Sequence, residues 1–127
     1  MTIRRVSPAE AHDLVQGGHV YVDVRSEPEF ADGHPEGAIN VPWMRMGPSG
    51  MIPNEGFLAT MRARFAKDAP IVVGCKAGGR SLRAAQALVD DGYTAVVDQR
   101  AGWDGARDAF GQITEPGWSR VGLPTAK

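Results

Sequence analysis

Apolar residues recur along this chain in short runs separated by stretches with a helical period. Five of these runs are apolar or rich in β-branched residues and are typical of strands. They predict strands at residues 3–6, 20–24, 38–42, 71–73 and 94–98. The run Ile71-Val72-Val73 is apolar throughout, which indicates a central strand covered on both faces.

Capping signals predict where the helices begin. Ser7-Pro8-Ala9-Glu10 combines a capping box with proline at the first helical position and predicts a helix that ends near Gln16. The same signature at residues 26–29 predicts a short helical turn. Further helices are expected from a cap at Asn54 to about Phe65, over 82–89 before Gly92, and roughly over 103–110. Glycine and proline predict a loop over 47–56 and an irregular tail over 111–127, anchored by Trp118 and Leu123.

Strands that alternate with helices indicate an α/β fold. We expect residues 1–127 to form a single domain with a central, mostly parallel sheet of about five strands and helices on both faces. Ligands of such folds bind outside the carboxyl ends of the strands. Cys75 lies at that position, directly after the central strand.

Composition narrows the classes of function. Of the 127 residues, 43% are hydrophobic and 23% are charged, and the formal net charge is −1 at pH 7. No overall basic field is present and no run is long enough to span a bilayer, so we expect neither a nucleic-acid nor a membrane partner. The amino-terminal residues lack the apolar segment of a secretory signal, which predicts a cytoplasmic location. One cysteine and three unclustered histidines predict no metal and no cofactor.

The candidate chemistry centres on Cys75, the only cysteine. It opens the loop Cys75-Lys76-Ala77-Gly78-Gly79-Arg80-Ser81, which lies between a buried strand and a helix. Backbone N–H groups of such a loop form a cradle for anions, and the helix dipole adds positive potential. A thiol held there is expected to have a lowered pKa and to react as a thiolate. The alternative is that Cys75 is a small buried hydrophobic residue, but packing alone has no need for the adjacent glycines and arginine.

Three further segments accompany the cysteine loop. They are Asp23-Val24-Arg25, the stretch Glu29-Phe30-Ala31-Asp32-Gly33-His34-Pro35-Glu36-Gly37-Ala38-Ile39-Asn40-Val41-Pro42, and Gly122-Leu123-Pro124. Taken in this order, the four segments resemble the rhodanese family of sulfurtransferases, as a single-domain member. Pro35 and Glu36, the pair Ala101-Gly102 and the early Trp103 depart from the family pattern. These departures affect the last predicted helix and the tail, and leave the cysteine site intact.

The resemblance implies a catalytic nucleophile, Cys75, and a substrate-binding loop consisting of Lys76, Ala77, Gly78, Gly79, Arg80 and Ser81. The thiolate would take the outer sulfur of thiosulfate and pass it, as a persulfide, to cyanide or a thiol. The N–H groups of residues 77–81 would stabilise the persulfide anion. Lys76 is expected to face solvent and attract anions. Arg80 either clamps the sulfonate or pairs with a carboxylate to hold the loop, and Asp23 and Arg25 are expected to support it.

Two alternatives remain open at this point. The first is a relay or sensor module that carries persulfide sulfur and docks on a partner protein. The second is a phosphatase or arsenate reductase that uses the same cradle for a tetrahedral oxyanion. The six residues from Cys75 to Arg80 are typical of sulfur-transferring members of the family, whereas related dual-specificity phosphatases have one residue more. Since the chain has no second cysteine, the sulfur must leave to a separate small thiol, cyanide or protein acceptor.

Overall fold

A computed structural model describes residues 3–127 of the chain. The strands, in chain order, are β1 (Arg4–Val6), β2 (Val20–Asp23), β3 (His34–Pro35), β4 (Ile39–Asn40), β5 (Met44–Gly47), β6 (Gly50–Pro53), β7 (Ile71–Gly74), β8 (Val96–Gln99), β9 (Gly105–Arg107), β10 (Ile113–Pro116) and β11 (Thr125–Ala126). The helices are α1 (Pro8–Gln16), α2 (Glu27–Asp32), α3 (Phe57–Arg64) and α4 (Gly79–Asp90), and a 3₁₀ helix spans Trp118–Arg120.

Five of the strands form one parallel sheet in the order β1-β8-β7-β2-β4. Helices form the crossovers between successive strands of this sheet, as parallel pairing requires. The predicted fold class is therefore confirmed, and all five predicted strands are present within a residue or two of their expected bounds.

The central strand β7 is buried on both faces. On one face, Ile71 packs in a cluster that includes Leu88 of α4. On the other face, Val72 packs with Ala11 of α1 and with Trp118. Cys75 follows this strand, so the candidate nucleophile leaves the sheet from its most enclosed position.

The capping box at the start of α1 forms as predicted. The Ser7 hydroxyl accepts a hydrogen bond from the Glu10 backbone N–H at 3.1 Å, and the Glu10 carboxylate accepts one from the Ser7 N–H at 3.0 Å. The predicted helix before Phe65 is also present, but it begins after Gly56, and Asn54 instead accepts the Gly56 N–H in the preceding turn.

The loop predicted over residues 47–56 is partly wrong. Residues 44–53 form an antiparallel hairpin in which Gly47 lies opposite Gly50 across a two-residue turn. Gly50 has a φ of +122°, a conformation that favours glycine. Glycine and proline signal a tight hairpin turn as well as an open loop, and the chain around the turn lacks the alternation that would distinguish the two.

The helix predicted over residues 103–110 is wrong. Strands β9 and β10 form a second antiparallel hairpin in this region. Gly102 and Gly105 have φ values of +67° and +142°, which no residue of a right-handed helix adopts. A Cβ atom at Gly105 would also lie 2.9 Å from the Glu115 carbonyl oxygen of the paired strand.

The tail expected to be irregular from residue 111 contains β10, the 3₁₀ helix and β11. Strand β11 pairs with β3, so the carboxyl end is tied to the segment that follows α2. Trp118 is 2% exposed, its Nε1 donates to the Pro124 carbonyl oxygen at 2.7 Å, and Leu123 packs against the same cluster. The prediction of Trp118 and Leu123 as anchors is thus confirmed.

Candidate active site

The sulfur of Cys75 is held by the loop that it opens. The Gly78 N–H donates to Cys75 Sγ at 3.1 Å, and the Ser81 hydroxyl oxygen lies 3.4 Å from the same atom. Cys75 is only 2% exposed. Ser81 Oγ accepts the hydrogen bond of the Cys75 thiol and donates its own hydrogen to the Gly78 carbonyl oxygen at 3.3 Å, so the Gly78 N–H is the donor that suits a sulfur carrying negative charge.

Gly78 supplies the N–H donor only because it is glycine. Its φ is +101°, in the left-handed region, and a Cβ atom there would overlap the Arg100 carbonyl oxygen. Gly79 begins α4 in open space, with nothing within 4 Å of a Cβ atom at that position. The two adjacent glycines therefore have different functions: one shapes the sulfur cradle, and the other starts the helix whose positive end faces it.

We expect Gly78→Ala to lower the free energy of unfolding by about 2–4 kcal/mol, because the left-handed conformation and the steric overlap both oppose a side chain. Gly79→Ala is the matched control and should change that free energy by no more than about 1 kcal/mol. Urea denaturation at neutral pH measures both variants. Equal losses of stability would contradict the structural difference between the two glycines.

Arg80 pairs with a carboxylate in this structure. Its Nη1 and Nη2 donate to Glu29 Oε1 and Oε2 at 2.7 and 3.0 Å. Glu29 Oε1 also accepts from the Ser26 backbone N–H and hydroxyl. Burial alone would raise the pKa of Glu29, but hydrogen bonds from Arg80 and Ser26, with the charge of Arg80, lower it to about 2. The cysteine loop is thereby attached to α2.

Glu29 was not predicted as a site residue. Its place in the sequence suggested a capping box with Ser26, which also forms, and the first position of the motif over residues 29–42. Its second function depends on a residue 51 positions away, Arg80, which the fold brings to the carboxyl end of the sheet.

We expect Glu29→Gln to destabilise the protein by about 1–2 kcal/mol at pH 7, after allowance for the partial exposure of the ion pair. The pKa of Glu29 is lowered in the folded state, so its contribution is complete above the unfolded pKa of about 4.5 and is lost as the pH falls toward 2. The difference between wild type and variant should therefore shrink over that range in urea titrations. Glu27→Gln, at an exposed pair 3.6 Å from Arg45, is the control and should cost less than about 0.5 kcal/mol. A difference that stayed constant down to pH 2 would contradict this assignment.

Asp23 and Arg25 form a buried ion pair beside the candidate nucleophile. Asp23 lies opposite Gly74 in the register of β2 and β7, one residue before Cys75. Its carboxylate accepts from Arg25 Nη2 at 2.7 Å and from the Arg25 backbone N–H at 3.0 Å, and both side chains are at most 3% exposed. Asn40 donates to the backbone carbonyls of both residues. Asp23 and Arg25 therefore lie among the residues around the candidate site, but neither of them forms a hydrogen bond to Cys75 Sγ.

The turn after β8 holds the first part of the cysteine loop, a feature that sequence reasoning missed. The buried Gln99 side chain accepts the N–H groups of Ala101 and Gly102 at 2.8 and 2.9 Å and so fixes this turn. Trp103 N–H then donates to the Cys75 carbonyl oxygen at 2.7 Å. A Cβ atom at Gly102 would lie 2.6 Å from that oxygen, so the close approach requires glycine. The only signal in the sequence was the glycine of the Ala101-Gly102 pair.

A cavity of about 190 Å³ adjoins the loop. Its lining is polar and consists of Arg25, Glu29, Asp32, Lys76, Trp103 and Asp104. Lys76 and Ala77 are exposed at its side of the loop. A larger cavity of about 370 Å³ lies near the amino ends of β1 and β8, beside the end of α4, and includes no residue of the cysteine loop. Of the two cavities, only the smaller one includes a residue of the cysteine loop, Lys76, and Cys75 lines neither of them.

Within residues 3–127, no helix is long and apolar enough to cross a bilayer. In that same part of the chain, no three His, Cys, Asp or Glu side chains are grouped to hold a metal ion.

Comparison with known proteins assigns this chain to a family. The Rhodanese-like domain family matches residues 7–109. Thiosulfate sulfurtransferase 16, chloroplastic, of Arabidopsis thaliana is 42% identical over 120 residues, which cover 94% of this chain and 90% of that protein. Thiosulfate sulfurtransferase GlpE of Haemophilus influenzae is 31% identical over 125 residues, which cover 98% and 95%. The crystal structure of Rv0390 from M. tuberculosis superposes with a TM-score of 0.82 at 30% identity, covering 99% of this chain and 98% of that one.

The chain belongs to the rhodanese-like domain family. It is an enzyme of the thiosulfate sulfurtransferase type, and the resemblance inferred from its sequence motifs is confirmed.

The predicted cytoplasmic location is wrong. The 42% identical thiosulfate sulfurtransferase is a chloroplastic protein. A second Arabidopsis relative, rhodanese-like domain-containing protein 15, is also chloroplastic and is 42% identical over 93 residues, which cover about half (51%) of its length. The lack of a recognisable secretory segment was therefore not a valid basis for assigning the compartment.

Proposed function

We propose that this sulfurtransferase works through a persulfide on Cys75. In the first step, the Cys75 thiolate attacks the outer sulfur of thiosulfate. A bond forms between Sγ and that sulfur, and the bond to the sulfonate sulfur breaks, with its electron pair leaving on sulfite. In the second step, cyanide or a thiolate takes the outer sulfur and Cys75 is released as a thiolate. Both steps follow the chemistry of thiol–disulfide exchange, which needs no general acid when the leaving group is a stable anion.

The observation that carries this proposal is the cradle around the sulfur, with the Gly78 N–H 3.1 Å and the Ser81 hydroxyl 3.4 Å from Sγ. The first N–H groups of α4 have no partner within the helix and lie next in the chain. The N–H groups of Gly79, Arg80 and Ser81 are thus available to an outer sulfur or to a bound oxyanion. We propose that they, with the Ala77 N–H, stabilise the persulfide as an oxyanion hole stabilises its intermediate.

For Arg80 we propose the loop-holding role. Its paired hydrogen bonds to Glu29 occupy both terminal nitrogens of its guanidinium group, which leaves the exposed Lys76 to attract the anionic donor. We propose a supporting role for Asp23 and Arg25, since their ion pair fixes the end of the strand next to β7.

The acceptor is a separate molecule, because the chain has no second thiol. A small thiol, cyanide or a protein thiol meets this requirement. A relay module that receives its sulfur from a protein persulfide would use the same atoms, and it differs from the proposed enzyme only in its donor. Phosphate or arsenate chemistry at the cradle is less favoured, because the loop from Cys75 to Arg80 has six residues.

Steady-state kinetics test the proposed cycle. Thiocyanate formation is measured while thiosulfate and cyanide are both varied, and a persulfide intermediate predicts parallel double-reciprocal lines, the pattern of a ping-pong mechanism. Intersecting lines would contradict a covalent intermediate. If thiosulfate gave no product while a protein persulfide donor did, the relay would replace the free enzyme. Hydrolysis of an aryl phosphate without sulfur transfer would replace both.

A further inference from the structure

A buried carboxylate lies beneath the cysteine loop and has no place in the mechanism above. Asp98 of β8 is fully buried, and its neighbours in the strand, Val96 and Val97, are apolar core residues. Asp98 Oδ2 accepts from Arg5 Nε at 2.7 Å. Its Oδ1 accepts no hydrogen bond of good geometry within residues 3–127, although the Ser81 hydroxyl lies close to the carboxylate. A buried carboxylate that is only half satisfied costs stability compared with an apolar side chain, so its presence needs an explanation.

The fold places Arg5 next to Asp98 and directs the arginine toward the cysteine loop. Arg5 and Asp98 face each other in the register of the neighbouring strands β1 and β8. The carboxylate holds the guanidinium through Nε, and Arg5 Nη2 reaches the Gly78 carbonyl oxygen at 3.3 Å. Burial raises the pKa of Asp98, and the Ser81 hydroxyl and Arg5 oppose that rise. The pair therefore adjoins two of the residues that contact the sulfur.

Gly78 is held from both of its polar ends. Its N–H donates to Cys75 Sγ, while its carbonyl oxygen accepts from Arg5, from the Ser81 hydroxyl and from the Leu82 N–H, each at 3.3 Å. All three of these bonds to the carbonyl are long, so none of them alone fixes the peptide. Arg5 is the only one of these donors that lies outside the segment from Cys75 to α4. It therefore ties the loop to the sheet.

We propose that Arg5 and Asp98 are positioning residues for sulfur transfer. The Asp98 carboxylate orients the Arg5 guanidinium, and the guanidinium holds the Gly78 carbonyl, which fixes the backbone torsions of Gly78 and through them the direction of its N–H toward the Cys75 sulfur. A planar guanidinium suits this function because its fixed geometry lets Nε and Nη2 bind two acceptors at once. Neither residue touches the substrate. This inference rests on the proposed function of Cys75, and it explains why the Asp98 carboxylate is buried.

The principal test is the double variant Arg5→Gln/Asp98→Asn. It removes both charges together, so no lone charge is left buried and the net charge near the sulfur is unchanged. Arg4→Gln is the control, because Arg4 lies on the same strand, is exposed, and lines the distant cavity instead of the loop. Sulfur loading of Cys75 by excess thiosulfate is followed in a single turnover by intact mass, which gives a rate constant and an amplitude separately.

We expect the rate constant at saturating thiosulfate to fall about 10- to 100-fold in the double variant, the usual range for residues that orient a reactive group. The thiosulfate concentration for half-maximal rate should change less than about 2-fold, because the pair makes no contact with the donor. Arg4→Gln should match wild type. A purely structural role would instead lower the amplitude or the melting temperature and leave the rate constant unchanged, and that result would overturn the proposal.

Two additions keep the test decisive. Arg5→Lys keeps the charge opposite Asp98 but lacks the planar guanidinium group. It should therefore fold and load sulfur more slowly than wild type, and a wild-type rate would overturn the proposal.

Alkylation of Cys75 by iodoacetamide needs no sulfur donor, and its rate should also fall in the double variant. If wild-type protein did not load sulfur at all, the proposed function would fail, and the alkylation rates would still test the positioning pair.

Discussion

Cys75→Ser should abolish sulfur transfer and leave the fold intact. Serine fills nearly the same space and can still accept the Gly78 N–H bond at this position, which is 3.1 Å from the donor in wild type. A serine hydroxyl is a far weaker nucleophile toward sulfur than a thiolate and cannot carry a persulfide. We expect thiocyanate formation to fall by more than about 10⁴-fold, as is found when a covalent nucleophile is removed from other enzymes.

Because Cys75 is the only cysteine, no other thiol of the chain can compensate for its loss. Urea denaturation provides the control, and the free energy of unfolding should change by less than about 1.5 kcal/mol for a near-isosteric exchange. Activity within about 10-fold of wild type in folded Cys75→Ser would contradict the assignment of the nucleophile.

Asp23→Asn should give the largest loss of stability among the substitutions considered for this chain. The Arg25 guanidinium is 3% exposed, and within residues 3–127 Asp23 is its one carboxylate partner. Removal of that carboxylate leaves a buried cation without a counter-charge, which typically costs about 3–5 kcal/mol. The free energy of unfolding, measured by urea denaturation at neutral pH, should fall by this amount.

The double variant Asp23→Asn/Arg25→Met distinguishes the lone charge from lost packing. It removes the guanidinium as well, so we expect it to be more stable than the single variant by about 1–3 kcal/mol. If the double variant lost as much stability as Asp23→Asn and Arg25→Met lose together as single variants, that result would contradict the view that the unpaired cation dominates the cost.

The sequence predicted best those features that depend on neighbouring residues. The capping box of Ser7 and Glu10 satisfies backbone groups three positions apart, so its pattern can be read directly. The apolar run Ile71-Val72-Val73 could only be a strand buried on both faces, and that placed Cys75 at the carboxyl end of the sheet. Together with the alternation of strands and helices and the glycine-rich loop after Cys75, these local rules predicted the fold class and the candidate nucleophile.

The supporting residues of the site could not be found in the same way. Glu29 meets Arg80 across 51 residues, and Arg5 meets Asp98 across 93, so neither pair leaves a periodic signal. The ion pair of Arg80 with Glu29, on which its proposed role rests, depends on the position of α2 relative to the loop. Such contacts depend on the arrangement of strands, which residue spacing does not encode.

The two hairpins show a second limit. At Gly50 and Gly111, the same residue type that suggests a loop or ends a helix also allows the positive φ of a tight turn. The strands of the two hairpins are only three or four residues long, which is too short for an alternation of apolar and polar residues to be recognised. In the second hairpin, Gly105 pairs with Pro116 across the turn, and the residue pattern over 103–110 did not indicate this pairing.

The most direct test of the central claim is the intact mass of the reduced protein after incubation with excess thiosulfate and removal of the reagent. The account predicts a gain equal to one sulfur atom, complete reversal by cyanide, and no gain in Cys75→Ser. An unchanged mass in wild-type protein would contradict the thiosulfate-dependent persulfide cycle, and a gain that persisted in Cys75→Ser would contradict Cys75 as its carrier.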